Sequence, residues 1–101
     1  REQWALAGGM LAIGIGEPEF RGRGYGHETL ELILNYAFNE LNLYRVGLHV
    51  ISNNASAIRT YEAAGFVKEG VQRSSVFRDQ QRIDCIHMGI LRDEYFNQLK
   101  G

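Results

Sequence analysis

The chain has one cysteine, Cys85, so no internal disulfide can form. That fits a reducing compartment, and the cytoplasm is the expected location. No apolar run approaches the roughly 20 residues that a membrane-spanning helix needs, and no signal-peptide pattern precedes the domain. A strong charge of one sign is also missing, because the formal net charge is −1. A chain so nearly neutral has no general attraction for nucleic acid or anionic membranes, so any anion site must be local. The only proline, Pro18, cannot donate to a sheet ladder and marks where residues 17–20 leave a strand. No repeat or low-complexity tract stands out. The first residue is Arg1 rather than Met, and the natural start is expected upstream.

What is present is ordinary globular material. With 101 residues, 45% apolar and 23% charged, the chain is bounded to one small domain or part of a larger one. That is enough to bury a core. Residues 4–16, WALAGGMLAIGIG, are apolar and glycine-rich without a helical period. They predict a buried strand over 10–15, with Gly8 and Gly9 as a turn or bulge before it. Over 26–41, Leu30, Ile33, Leu34, Ala37, Phe38 and Leu41 recur at the spacing of one helix face. Glu28 and Glu31 lie in its early turns, where the helix dipole favours acids. Residues 42–52, NLYRVGLHVIS, alternate as a second strand, and strand, helix, strand predicts a right-handed parallel crossover. Residues 53–66, NNASAIRTYEAAGF, predict a short helix capped by Asn53 or Asn54. Gly65 closes it in the left-handed conformation and Phe66 seals the end. Strands over 66–72 and 82–91, joined by a polar stretch at 78–82, and a ragged helical turn over 92–101 complete an α/β fold.

The most distinctive stretch is FRGRGYGHETLELI, residues 20–33. Gly22, Gly24 and Gly26 alternate with Arg21, Arg23 and Tyr25 immediately before the helix. The first N–H groups of a helix have no internal partners, and the dipole adds partial positive charge there. Glycines let a ligand approach that backbone, which makes a site for phosphate or pyrophosphate. The two arginines add charge-assisted contacts. The spacing lacks the Gly-Lys-Ser/Thr of a Walker loop, and its G-x-G-x-G register is wrong for a dinucleotide fingerprint. Taken alone, the glycines read equally well as a surface turn with a helix cap. A third reading, RNA binding through the arginines, would show as salt-sensitive affinity.

Downstream residues break that tie. Arg21-Gly22-Arg23-Gly24-Tyr25-Gly26 resembles the Arg/Gln-x-x-Gly-x-Gly/Ala signature of the GNAT superfamily of acetyl-CoA-dependent N-acetyltransferases. Asn54, Ala57, Tyr61, Gly65 and Phe66 match its second signature, Asn-x-x-Ala-x-x-x-Tyr-x-x-x-Gly-Phe, in the right order after a helix and a strand. The tail, EGVQR followed by DCIHMGILRDE, is similar to the closing strands of the branch with ribosomal-protein N-terminal and spermidine acetyltransferases.

The resemblance implies a GNAT-like mixed β-sheet with flanking helices and acetyl-CoA as co-substrate. The acceptor would be a primary amine: a protein N-terminus, a polyamine or a small amine. The pyrophosphate would rest on the amides of residues 21–26, and the backbone of Ile15 and Gly16 would pair with the pantetheine arm. Asn54 would bond that arm, although an asparagine there also caps the helix. Tyr61 would protonate the departing thiolate; as a residue it is equally a member of the Ala57–Ala64 helix stripe, where aromatics usually pack. His49 lies where related enzymes carry a glutamate base, and histidines titrate near neutrality; strand histidines are also common as plain structural residues. His27 and His87 have weaker claims. No metal is expected, because His27, His49 and His87 show no ligand spacing with Cys85. By analogy with the superfamily a homodimer is possible through residues 71–77. The superfamily domain normally begins with further strands and helices, so residues 1–101 are expected to form one such domain without its N-terminal part. The alternative to an enzyme is a coenzyme A-binding module without turnover.

Overall fold

Gly8 and Gly9 adopt positive φ angles of 58° and 82°, the pair that a tight hairpin turn requires. They join strand β1 (Trp4–Ala7) to strand β2 (Met10–Ile13), which pair antiparallel from Ala7–Met10 outward. The expected turn is therefore a hairpin, and the apolar run before it is a strand in its own right. The computed structural model describes residues 4–13 and 25–100. Ile15, Gly16, Arg21, Gly22, Arg23 and Gly24 lie outside the described residues, and so does the end of the predicted 10–15 strand.

Helix α1 (Tyr25–Asn35) follows, with Leu30, Ile33 and Leu34 fully buried as the spacing predicts. The regular α-helix does not continue to residue 41. Residues Tyr36–Glu40 form a π-helical turn in which the Leu41 N–H bonds the Tyr36 carbonyl at 3.0 Å. The wider turn keeps the consecutive residues Ala37 and Phe38 both buried. It also leaves the Phe38 carbonyl to accept from Arg92 Nη1 at 2.7 Å, a long-range bond that no local pattern encodes.

Strand β3 (Arg45–Ile51) lies parallel to β2, as the crossover reading expected. Helix α2 (Ala55–Ala63) is capped by Asn54, whose side-chain oxygen accepts from the Ala57 N–H at 3.2 Å. At its other end Gly65 has φ 110°, Gly65 N–H bonds Glu62, and Phe66 N–H bonds Tyr61. This is the predicted left-handed termination. Replacing Asn54 with Ala should lower stability by about 1 kcal/mol, measurable as a shifted urea midpoint with an unchanged slope.

Strand β4 (Val67–Arg78) and strand β5 (Gln81–Leu91) are longer than predicted. A two-residue turn at Asp79 and Gln80, both at positive φ, connects them. Register shifts at Lys68/Gly70 and Gln72/Val76 hide the strand's continuity from a simple alternation. At the second shift Ser74 sits at φ 55°, and its N–H is taken by the Asp84 carboxylate at 2.8 Å instead of by the ladder. The last segment is a two-turn helix, α3 (Arg92–Leu99), rather than a ragged turn. Glu94 accepts from the Leu91 N–H at its start, and Tyr95 stacks on Phe38 at 5.0 Å.

The sheet order is β1-β2-β3-β5-β4, with β2–β3 as the parallel pair. Val46, Leu48, Val50, Met88 and Ile90 point to one face, where the buried side chains of all three helices form a single core. The opposite face carries Gly47, His49, Cys85, His87 and Gly89. Gly47 and Gly89 are paired neighbours, and the Arg45–Glu69 ion pair lies across them; a Cβ on Gly89 would come within 2.9 Å of Arg45 Nη1.

Candidate functional site

Among the described residues, strands β2 and β3 pair at two positions only, Met10–Gly47 and Leu11–Leu48. Beyond them the parallel ladder stops, although β3 continues to Ile51 and stays paired with β5 throughout. Two adjacent strands that part in mid-sheet leave a gap. Here it is a cleft of about 450 Å³ lined by Met10, Leu11, Ala12, His49 and Tyr61. Leu11 lies opposite Leu48 and so belongs to the helix side, where Tyr61 also sits. Met10 and His49 belong to the other face, because Met10 lies opposite Gly47 and His49 is two residues further along. The cleft thus gives access to the gap from both sides of the sheet. Among the described residues its lining carries no carboxylate.

Tyr61 is 3% exposed and meets Phe66 edge-on at 5.8 Å. Burial pushes its phenol up to about 12, because the phenolate would lose its solvation. Tyr95 is raised too, first by burial and then by the negative charge of Glu31. Both groups favour the folded state in its neutral form. For Tyr61 that contribution is complete below the unfolded value of about 10 and is lost as pH climbs toward about 12. Stability should therefore fall between pH 10 and 12, by about 2 kcal/mol from Tyr61. Thermal melts across that range, with Tyr61→Phe removing its share of the slope, would check this.

Of the residues singled out in the sequence, the structure brings Tyr61 and His49 to one cleft. It gives Asn54 its capping role and opens α1 at Tyr25 and Gly26. His27 is an exposed first-turn residue, 3.2 Å from Glu31. The linear reading did not identify Met10, Leu11 and Ala12, because cleft-lining positions follow from where the β2–β3 ladder ends. It also found no relation among His49, Cys85 and His87. Strand pairing supplies one: His49 lies directly opposite His87, Ile51 opposite Cys85, and the three possible ligand atoms lie within 4.8 Å of one another.

A family model described as "Acetyltransferase (GNAT) family" matches residues 11–66, more than half of the chain. The chain belongs to the GNAT acetyltransferase family. Among curated GNAT relatives, a spermidine N(1)-acetyltransferase of Vibrio cholerae serotype O1 is 36% identical over 81 residues, which cover 80% of this chain and 47% of that protein. The Escherichia coli K12 protein of the same name is 34% identical, over 82% of this chain and 45% of its own. A solved structure of the V. cholerae spermidine N-acetyltransferase in complex with CoA and spermine superposes with a TM-score of 0.79 at 35% identity. It covers 87% of this chain and 52% of that one. The GNAT-like mixed sheet expected from the motifs is the fold observed. The chain spans about half the length of the curated relatives it matches.

Proposed function

We propose that this chain carries the chemistry of an N-acetyltransferase, moving an acetyl group from acetyl-CoA to a primary amine, with a polyamine as the acceptor class. The observation that carries the proposal is the shared cleft: His49 and Tyr61 reach one gap from opposite faces of the sheet. The names of the relatives, and the CoA and spermine bound in one of them, support the cofactor and the acceptor class.

The residues fit such a cofactor in three ways. Where the β2–β3 ladder ends, backbone groups of β2 are free of β3, and an amide-bearing arm can complete the ladder as an added strand does. In this reading the arm continues along Ile15 and Gly16. The amides of Arg21, Gly22, Arg23, Gly24, Tyr25 and Gly26 take the pyrophosphate at the mouth of α1. Asn54 caps α2 with its oxygen and offers its NH₂ group to the arm. The apolar lining suits a thioester rather than a polycation, so the amine enters from the His49 side of the sheet.

His49 takes the proton of the attacking amine. The new C–N bond forms as the C–S bond breaks, and Tyr61 donates its O–H to the departing sulfur. Calorimetric titration with acetyl-CoA tests the reading. Micromolar binding is expected, at least tenfold weaker in Gly24→Glu, where charge and bulk oppose the pyrophosphate. Acetylated spermidine in the same sample is the expected product. A folded chain that does not bind acetyl-CoA would overturn the proposal. Binding with no transfer to any amine would leave a coenzyme A-binding module.

A further inference from the structure

We propose that His49, His87 and Cys85 form a three-ligand transition-metal site, suited to zinc, on the sheet face opposite the helices. His49 and His87 are a direct cross-strand pair, with ring centroids 4.1 Å apart. Cys85 precedes His87 by two residues on β5, so both project from the same face. The three ligand atoms lie within 4.8 Å of one another. Zinc bonds of roughly 2.0–2.3 Å at tetrahedral angles place ligand atoms about 3.5 Å apart. Rotations of the side chains alone, by about an ångström at their tips, close the difference. The backbone beneath is fixed, because β3 and β5 pair along the whole length of β3.

The ligand set chooses the class of ion. Two imidazoles and a thiolate suit zinc and its borderline-soft neighbours and disfavour magnesium and calcium, which take oxygen ligands. Binding releases the Cys85 thiol proton to solvent and keeps both imidazoles neutral. Cys85 is buried while His49 is exposed, so an ion can reach the three ligands from the His49 side. A metal there also occupies the imidazole assigned above to the amine proton. Bound zinc should therefore block acetyl transfer, and this consequence alone rests on the proposed function.

The test is titration of the metal-free chain with Co²⁺ and Zn²⁺, with Mg²⁺ as control. One equivalent of Co²⁺ should give a near-ultraviolet thiolate-to-cobalt band that Zn²⁺ abolishes and Mg²⁺ leaves unchanged. Cys85→Ser should lose the band, and both Cys85→Ser and His87→Gln should bind Zn²⁺ at least tenfold more weakly. His87→Gln alters a half-buried side chain, so it keeps the test decisive if Cys85→Ser folds poorly. No micromolar binding by the folded chain, or binding unchanged in His87→Gln, would overturn the site. Zinc should inhibit transfer by the parent chain and spare His87→Gln. Metal binding without inhibition would preserve the site and remove His49 from the proton path.

Discussion

Tyr61→Phe is expected to slow acetyl transfer by about two to four orders of magnitude while leaving the affinity for acetyl-CoA nearly unchanged. The substitution removes one oxygen from a side chain that is otherwise packed against Phe66 and the core, so the fold should survive it. The phenol of Tyr61, held up to about 12, is protonated at every physiological pH. Full transfer of that proton to a thiolate of ordinary pKa, about 8.5, is uphill. In the proposed mechanism the hydroxyl would therefore act by hydrogen-bonding the sulfur as negative charge develops on it, a stabilisation present only in the transition state. The pH profile should accordingly show no alkaline limb from Tyr61 below about pH 11. A fall of less than threefold in kcat for Tyr61→Phe would return Tyr61 to the helix stripe as a packing residue.

Phe38→Ala should cost about 3–5 kcal/mol, a large share of the roughly 5–15 kcal/mol that holds a domain of this size together. Phe38 has no exposed surface, stacks on Tyr95 at 5.0 Å and meets Phe96 edge-on at 6.4 Å. Arg92 bonds its carbonyl and lies over the Phe96 ring at 5.1 Å. Removing the ring thus empties the contact between the π-helical turn and α3. Leu32→Ala on α1 provides the control: Leu32 is 72% exposed, and its loss should change stability by less than about 0.5 kcal/mol. Urea denaturation of both variants would measure the contrast. Equal effects would mean that the core is not where the side-chain burial puts it.

The parts of the fold that the sequence revealed are those written in local chemistry. The apolar spacing of Leu30, Ile33 and Leu34 marked α1, and Gly65 with Phe66 marked the end of α2. The alternation of Val46, Leu48 and Val50 marked β3. Features that depend on a distant partner were not legible. The π-helical turn is tied to Arg92, more than 50 residues away, through the Phe38 carbonyl. The continuity of β4 past Gln72 depends on Asp84 taking the Ser74 N–H across the sheet. Asn53 and Asn54 were equivalent as candidate caps, and only the helix start at Ala55 selects Asn54. For the site, the second motif led to Tyr61 directly, whereas the cleft depends on where two strands stop pairing. The grouping of His49 with His87 and Cys85 depends on cross-strand register, which linear spacing does not encode.

The interrupted register of β4 also bears on how the chain behaves in concentrated solution. A 12-residue strand whose only partner among the described residues is β5 would, if straight, offer a long template for amyloid-like stacking. Val67, Val71 and Phe77, all exposed along it, would add to the hazard. The two shifts break it into ladder runs of two or three residues, 67–68, 70–72 and 76–78. Each bulge bends and twists the backbone, so an incoming strand loses register after a few rungs. An incoming copy along this border should therefore pair over a few rungs at most, which works against propagation into fibres.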